Sequence, residues 1–262
     1  MTTTLILDAD LILHRAASMA QALYRFDEGA ECVSTDFAAA KDKAQSLVHD
    51  WSRALFADRI VLALSDPTGR YFRKEIFPAY KSHRSGHAKP LLFKNLRSWA
   101  EESYECVAKP GLEADDVCGI LSTHPSKYPG TRIVVSTDKD MLQIPGLLYR
   151  PHKPKDGVLE ITPAEADRWH LIQTLTGDST DGFKGIPGVG PKKAVKILDA
   201  PVRRHTTHSV VCDCHDWSRV SGAYVRAGLS HADALLQARV ARILRHGDYH
   251  QDIGVRLWSP EL

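Results

Sequence analysis

The stretch Ile133-Val-Val-Ser-Thr-Asp138-Lys-Asp140 joins a short apolar run to two aspartates. Short apolar runs of this kind, bounded by polar residues, predict buried β-strands. Two other stretches repeat the pattern, because Asp8 directly follows the apolar run 5–7 and Asp66 lies just beyond the run 60–64. Helical patterns separate these runs. Strands that alternate with helices predict an α/β fold with a mostly parallel central sheet flanked by helices.

The aspartates at these strand ends are expected to lie close together. The carboxyl ends of parallel strands meet at one edge of an open sheet, which is where such folds bind ligands. Carboxylates gathered in this way can hold hard divalent cations, because Mg²⁺ prefers oxygen ligands. The pattern therefore indicates phosphoryl chemistry at this edge.

Two further acidic clusters lie outside the strand ends. Glu113, Asp115 and Asp116 follow Pro110-Gly111 and open a predicted helix. Three acids in four positions exceed what a helix start needs, although the helix dipole favours acids there. Asp178 and Asp181 form the second cluster, at the end of another predicted helix.

Periodicity and capping signals predict helices over 11–24, 36–57 and 162–176 and after Ser230. The third begins with a Thr-Pro-Ala-Glu capping pattern. The last carries an apolar stripe, is expected to end at Gly247, and is expected to pack in the core. The stripe consists of Leu236, Val240, Ile243 and Leu244.

Charge is distributed unevenly along the 262 residues, although the formal net charge is only +2. Between Arg70 and Arg97 there are eight Lys or Arg residues and one acid, Glu75, whereas acids dominate from Glu101 to Asp140. One region could hold an anionic polymer and the other could hold metals. The alternative for the basic run is an ordinary solvated face.

The five cysteines and the hydropathy pattern bear on location. No apolar stretch approaches the ~20 residues that cross a bilayer, and an odd number of isolated cysteines predicts free thiols in a reducing cytoplasm. Cys212-Asp-Cys214-His215 suggests zinc, but no second ligand pair lies at a suitable distance. Free thiols are the favoured interpretation.

A glycine-rich turn, Gly185-Ile-Pro-Gly188-Val-Gly190-Pro-Lys192-Lys193, follows the last acidic cluster. Its arrangement between two helices predicts a helix-hairpin-helix. Backbone amides at the second helix can bind a DNA phosphate, and the two lysines add positive charge. The alternative is an ordinary helical hairpin that needs glycine for its tight turn.

Taken in order, five motifs resemble the 5′-nuclease family, which includes flap endonucleases, the 5′-nuclease domain of bacterial DNA polymerase I and stand-alone phage 5′–3′ exonucleases. They are Phe72-Arg-Lys-Glu-Ile-Phe-Pro-Ala-Tyr80-Lys81-Ser-His-Arg84, Leu112-Glu-Ala-Asp-Asp-Val117, Ser136-Thr-Asp-Lys-Asp140, Gly177-Asp-Ser-Thr-Asp-Gly182 and Gly185-Ile-Pro-Gly-Val-Gly190. They cover about residues 5–200. The short chain and its Asp8-Ala-Asp10 start are most similar to the phage exonucleases.

The resemblance implies a PIN-like catalytic core over 1–165 that includes a helical arch region at 70–97. It implies a helical region over 166–262, with the helix-hairpin-helix at 178–199 and C-terminal helices after it. Two or more Mg²⁺ ions are expected, with Mn²⁺ as a substitute, and K⁺ is expected at the hairpin. The implied metal ligands are Asp8, Asp66, Glu113, Asp115, Asp116, Asp138, Asp140, Asp178 and Asp181.

The ligands are expected to divide between two metal positions, with Asp8, Asp66, Glu113 and Asp115 nearer one and Asp140, Asp178 and Asp181 nearer the other. By the same resemblance, Lys81 and Arg84 are catalytic residues that face the scissile phosphate. DNA contacts are implied for Arg15, Arg73, Tyr80, Gly188, Gly190, Lys192 and Lys193.

The implied activity is Mg²⁺-dependent 5′–3′ exonuclease action with flap endonuclease activity, in phage-type replication, recombination or RNA primer removal. The expected partner is DNA with a 5′ end, nick or flap, or an RNA–DNA hybrid, bound by a monomer in the bacterial host cytoplasm. Two alternatives stay open. One is an inactive protein that binds DNA junctions, and the other is a haloacid-dehalogenase-like phosphatase, which the start at Asp8 resembles.

Overall fold

The computed structural model describes residues 2–25, 29, 31–84, 86, 89–200 and 214–260, and at 214 and 215 it describes only the backbone. Six strands form its central sheet. In chain order they are β1 (Thr3–Asp8), β4 (Arg59–Leu64), β5 (Glu105–Ala108), β6 (Thr131–Val135), β7 (Gly146–Tyr149) and β8 (Val158–Ile161). Their order across the sheet is β5-β4-β1-β6-β7-β8. Every neighbouring pair is parallel except the antiparallel β7–β8 pair. This confirms the predicted mostly parallel sheet.

Nine helices flank the sheet or follow it among the described residues. They are α1 (Ala9–Met19), α2 (Phe37–Ala54), α3 (Phe72–Ile76), α4 (Phe93–Ser103), α5 (Ala114–Thr123), α6 (Pro163–Thr176), α7 (Pro191–Leu198), α8 (Cys214–Arg226) and α9 (His231–Ala241). The side chains of Asp36 and Thr162 cap α2 and α6 as their sequences predict. None of the helices described here combines the length and apolar character needed to cross a membrane.

Three large apolar clusters organise the packing, beside a small one of Tyr80, Phe183, Val240 and Ala241. β1 is central, and its residues Leu5, Ile6 and Leu7 are fully buried because helices cover both faces of the sheet. One cluster lies between the sheet and α1, α2 and α4, and the second lies between the sheet and α5. A third, built from α6 to α9, forms a separate helical core. The division into regions 1–165 and 166–262 stays a prediction.

The first predicted helix is shorter than expected. It ends at Met19, and β2 (Gln21–Arg25) pairs with β3 (Glu31–Thr35) in an exposed antiparallel ribbon. The prediction of a helix to residue 24 was therefore wrong. Cross-strand hydrogen bonding stabilises the ribbon, and a helical pattern read from one segment carries no information about its partner strand.

The last predicted helix is also shorter, because α9 ends at Ala241 and the chain turns back toward the sheet. Ile243 and Leu244 pack in the cluster beside α5 rather than along a helix stripe. We call residues 240–246 the C-terminal strap. Beyond it, β9 (Tyr249–His250) and β10 (Gly254–Val255) form a small antiparallel pair.

The strap lies unusually close to α5. A Cβ atom at Gly119 would lie 2.2 Å from the carbonyl oxygen of Leu244, a distance that real Cβ contacts do not reach. Glycine at this position therefore lets the strap pack against the helix backbone.

Candidate active site

The carboxyl edge of the sheet carries the predicted acidic cluster. Asp8 is the last residue of β1 and caps α1, Asp66 follows β4, and Asp138 follows β6 and caps a 3-10 helix over Lys139–Gln143. β1 lies between β4 and β6. The three strand ends are therefore neighbours, as the sequence predicted.

Asp8 is 7% exposed. Its Oδ2 accepts a hydrogen bond from the Ser136 hydroxyl at 3.0 Å, and its Oδ1 accepts a longer one from the Leu11 amide. Burial, followed by repulsion from Asp10, raises the pKa of Asp8 to about 7. The folded chain therefore disfavours the negative charge at this carboxylate.

The negative charges of Asp115 and Asp140 are disfavoured in the same way. Burial and the charges of Asp8 and Asp138 raise the pKa of Asp115 well above its usual value. Burial and Asp138 raise the pKa of Asp140 to about 7. Asp140 Oδ1 is buried, and no hydrogen-bond donor contacts it among the described residues. Such an oxygen is costly to bury alone, so its environment suits a cation.

Glu113 and Asp181 are instead neutralised by cations of the chain. Lys81 Nζ lies 2.6 Å from Glu113 Oε1 and 3.3 Å from Asp181 Oδ1, and Arg84 lies 3.2 Å from the same Asp181 oxygen. Burial opposes ionisation of Glu113, but Lys81 and Arg73 outweigh it and lower its pKa. Both predicted catalytic cations therefore lie beside the acidic cluster.

Lys81 adopts φ = 53°, a left-handed conformation that is uncommon outside glycine. Its backbone amide donates to the Asp181 carbonyl at 2.8 Å, which ties the arch region to the loop after α6. Burial opposes the charge of Lys81, but Glu113 and Asp181 outweigh it and raise the lysine pKa well above its usual value. The side chain therefore stays protonated.

Asp178 is buried beside Lys139, whose Nζ lies 2.9 Å from Asp178 Oδ2. Burial alone would raise the pKa of Asp178, but the hydrogen bond from Lys139 helps to lower it. Sequence reasoning did not assign Lys139 a role, although it lies between two predicted ligands. Ser136 was missed likewise, despite its position at the end of β6.

Asp116 is separated from the edge by its partners. It is fully buried, and Arg73 contacts its two oxygens at 2.6 and 2.7 Å. The amides of Leu244 and Glu113 donate to the same two oxygens. All of its strong contacts are therefore internal to the fold.

Asp66 is held in a turn. One of its oxygens accepts hydrogen bonds from the amide and hydroxyl of Thr68, and the other accepts from the Gly111 amide at 2.7 Å. Burial opposes ionisation, but these bonds outweigh it and lower the pKa of Asp66. Its carboxylate stabilises the turn that leads into α5.

Arg73 and Tyr80, two of the expected DNA contacts, have buried side chains. Arg73 is 4% exposed and donates to Glu113, Asp116 and the carbonyls of Val240 and Arg242. Its guanidinium therefore faces the protein interior and not a 5′ phosphate. Tyr80 is 3% exposed, and its hydroxyl contacts Glu113 at 2.8 Å and Asp181 at 3.0 Å, so its ring does not face a base. Arg15 lies exposed on α1.

The hairpin after α6 presents the predicted glycines and lysines at the start of α7. Gly188 adopts φ = 72°, and Gly190 is the residue before the first turn of α7. Lys192 and Lys193 are exposed, and Lys193 Nζ donates to the Gly188 carbonyl at 2.8 Å. The zinc alternative involves Cys212 and the side chains of Cys214 and His215, which lie outside the described residues.

Within the described part of the chain, no three acidic, histidine or cysteine side chains already form a closed set of metal ligands.

Comparisons with known proteins agree with this geometry. Residues 3–152 match the family model described as 5′-3′ exonuclease, N-terminal resolvase-like domain. The chain is 29% identical to an exodeoxyribonuclease of Enterobacteria phage T3, over 98% of this chain and 92% of the relative. It is 30% identical to an exonuclease of Escherichia phage T7, over 98% and 93% of the two chains.

A solved structure with a similar fold is the bacteriophage T5 flap endonuclease in complex with DNA and metal ions. Its TM-score is 0.56 at 12% identity, with 91% of this chain and 93% of the other covered. These matches leave the phosphatase alternative without support. The matched family model spans more than half of the sequence, and the chain belongs to the 5′–3′ exonuclease family.

Proposed function

We propose that this enzyme hydrolyses phosphodiesters near DNA 5′ ends with the help of bound divalent cations, as a 5′–3′ exonuclease and flap endonuclease. One observation carries the metal dependence. Asp8, Asp115 and Asp140 have raised pKa values, because burial and repulsion from neighbouring carboxylates disfavour their charges. Divalent cations bound beside them would stabilise the charged carboxylates.

The charges divide the proposed ligands into two groups that share Asp138. Asp8 and Asp115 interact electrostatically with Asp138, and Asp140 interacts with both Asp138 and Asp178. We assign one ion to the first group and a second ion to the other. Mg²⁺ is the proposed ion, with Mn²⁺ able to replace it, because both accept oxygen ligands.

The remaining predicted ligands have different roles in this proposal. Glu113 and Asp181 hold Lys81 and contribute to the second shell of ligands. Asp66 and Asp116 are left out of the ligand set, because backbone amides and Arg73 already contact their oxygens.

A bound divalent ion supplies a water of lowered pKa and offsets charge on the reacting phosphate. The chain's own cations act on the same charge. Lys81 and Arg84 extend from the arch region to the acidic edge, where they can stabilise the phosphate as negative charge builds up on it. The released products would be 5′-phosphorylated nucleotides that carry a 3′ hydroxyl, and the remaining strand would carry a new 5′ phosphate.

DNA with a 5′ end, nick or flap is the proposed substrate, and an RNA–DNA hybrid is a second one. The relatives named above are exonucleases of phages, and the T5 structure is a flap endonuclease with DNA. Backbone amides at Gly190 and the exposed Lys192 would bind a duplex phosphate away from the cut. K⁺ at this hairpin, the monomeric state and the host cytoplasm stay predictions.

The test is cleavage of 5′-labelled nicked and flap duplexes by the wild type, by Asp138→Asn and by Asp42→Asn. Asp42 is an exposed residue of α2 and serves as the matched control. We expect Mg²⁺-dependent release from the 5′ end that EDTA stops. Asp138→Asn should lose at least about 100-fold in rate while binding DNA normally, and Asp42→Asn should match the wild type.

The inactive junction-binding alternative makes the opposite prediction. Tight binding to both duplexes with no cleavage by the wild type in Mg²⁺ or Mn²⁺ would establish it. Full activity of Asp138→Asn would refute the assignment of the acidic edge.

A further inference from the structure

The C-terminal strap carries no proposed ligand, yet side chains from the catalytic motifs bind its main chain. Arg73 donates to the carbonyls of Val240 and Arg242, and Asp116 accepts from the Leu244 amide. Gln143 contacts Ala241, Ile243 and Arg245. Residues from three separate segments of the chain therefore hold the strap.

Gln143 lies three residues after Asp140, at the end of the same 3-10 helix, and is fully buried. Its amide nitrogen donates to the Ala241 carbonyl at 2.8 Å and also to the side-chain oxygen of Gln173. Its amide oxygen accepts from the Ile243 backbone amide at 3.2 Å. Both amide protons and the oxygen are thus used, which fixes the orientation of the group.

Gln173 ties this group to α6. It is 5% exposed on that helix, and its side-chain oxygen accepts a hydrogen bond from the Gln143 amide. Gln143 lies one turn of the 3-10 helix after Asp140, so the amide pair joins α6 and the strap to the helix that carries Asp140.

We propose that Gln143 is a positioning residue. It ties the 3-10 helix that carries Asp140 to α6 through Gln173 and to the strap, and it thereby holds Asp140 in place for metal binding. This inference rests on the proposed metal-dependent function. A ligating carboxylate needs a second shell that holds its orientation, and loss of such partners typically costs about 10–100-fold in metal affinity or activity. Neither glutamine needs to touch the ion or the DNA for this role.

The experiment compares Gln143→Met and Gln173→Met with Ile144→Ala. Methionine keeps the volume of glutamine but removes the amide. Ile144 is the buried residue directly after Gln143, so its truncation destabilises the same turn without touching the amide pair. Gln173→Met leaves the bonds from Gln143 to the strap in place, so it tests the connection between the 3-10 helix and α6 by itself if Gln143→Met folds poorly.

Four quantities are measured for each variant: the thermal midpoint, kcat and KM on a nicked duplex, and Mn²⁺ affinity by calorimetry without DNA. We expect both methionine variants to lose about 10-fold in Mn²⁺ affinity and in kcat, with KM for DNA nearly unchanged. The double variant should lose little more than either single one, because the two amides act as a unit. Ile144→Ala should keep wild-type Mn²⁺ affinity despite a lower midpoint.

Wild-type Mn²⁺ affinity in Gln173→Met would overturn the inference, and so would an equal loss in Ile144→Ala. A wild type that binds no Mn²⁺ and cleaves no duplex would overturn the proposed function itself, and the inference with it. The wild-type measurements therefore separate the two failures.

Discussion

Replacement of Arg73 by methionine should strongly destabilise the fold. The guanidinium lies 2.6 and 2.7 Å from the two oxygens of Asp116, which is fully buried. Removing one partner of a buried ion pair leaves an uncompensated charge and typically costs about 3–5 kcal/mol. The carbonyls of Val240 and Arg242 also lose their donor. Because whole domains are stable by only about 5–15 kcal/mol, the loss should be a large fraction of the total.

The assay is urea unfolding followed by tryptophan fluorescence, with Arg25→Met as the control. Arg25 makes an ion pair with Glu31 at 2.8 Å, but both side chains are more than half exposed. Such a pair contributes about 0–1 kcal/mol, so its removal should hardly move the midpoint. A double variant, Arg73→Met with Asp116→Leu, should recover part of the loss, because no charge is then left unpaired.

An arginine that bound a DNA phosphate, rather than Asp116 in the interior, would give different results in both unfolding and DNA binding. Its replacement would leave the unfolding midpoint unchanged and reduce the salt dependence of DNA binding by about one phosphate contact. That pair of results for Arg73→Met would refute the assignment of this side chain to the interior.

Three other perturbations test separate parts of the fold and site. His170 is 1% exposed, and burial lowers its pKa to about 3. The neutral side chain therefore stabilises the fold above its unfolded pKa of about 6.5, and this stabilisation is lost as the pH falls toward 3. The urea midpoint of a His170→Gln variant should fall less steeply over this pH range than that of the wild type. Gly119→Ala should lower the free energy of unfolding by at least about 2 kcal/mol, because the new Cβ would lie 2.2 Å from the Leu244 carbonyl oxygen. The control is Gly222→Ala, whose Cβ would contact only the flexible end of the Arg226 side chain, so this change should be neutral or stabilising. Lys192→Ala should weaken duplex binding a few-fold and reduce the salt dependence of binding by about one phosphate contact, without lowering kcat. If titrations of the variant and the wild type gave the same affinity and salt dependence, the hairpin contact would be excluded.

The position of the acidic edge was predictable from sequence because it depends on local patterns. Asp8, Asp66 and Asp138 each follow a short apolar run, and the parallel sheet brings such ends together without any knowledge of side-chain contacts. The helix over 162–176 was predictable for the same reason. Its capping residue and periodicity both lie within the segment.

The different partners of the acidic residues were not predictable from the sequence. Glu113, Asp115 and Asp116 lie within four positions, yet the first contacts Lys81, the second faces other carboxylates and the third is bound by Arg73. The partners come from a segment more than thirty residues away. A sequence window around the motif does not contain the contacts that decide which carboxylate is left for a cation.

The same limit applies to the strap. Its apolar residues match a helix stripe, but the chain leaves the helix after Ala241. Packing against Gly119 and polar contacts with Arg73, Asp116 and Gln143 hold it in the observed conformation. These contacts span about 100 residues or more of sequence. Local propensity was overridden by tertiary contacts that form only in the folded chain.

The cations of the site link stability to function. Buried carboxylates at one edge repel one another, and the chain offsets part of this repulsion with Lys81, Arg84 and Lys139. Two of these cations come from the arch region and the third from the 3-10 helix after β6. Because the proposed function assigns Lys81 and Arg84 to the reacting phosphate, we expect substitution of either residue to affect both the folded protein and the reaction. Separating the two effects requires metal affinity and kcat to be measured on variants whose unfolding midpoints are known.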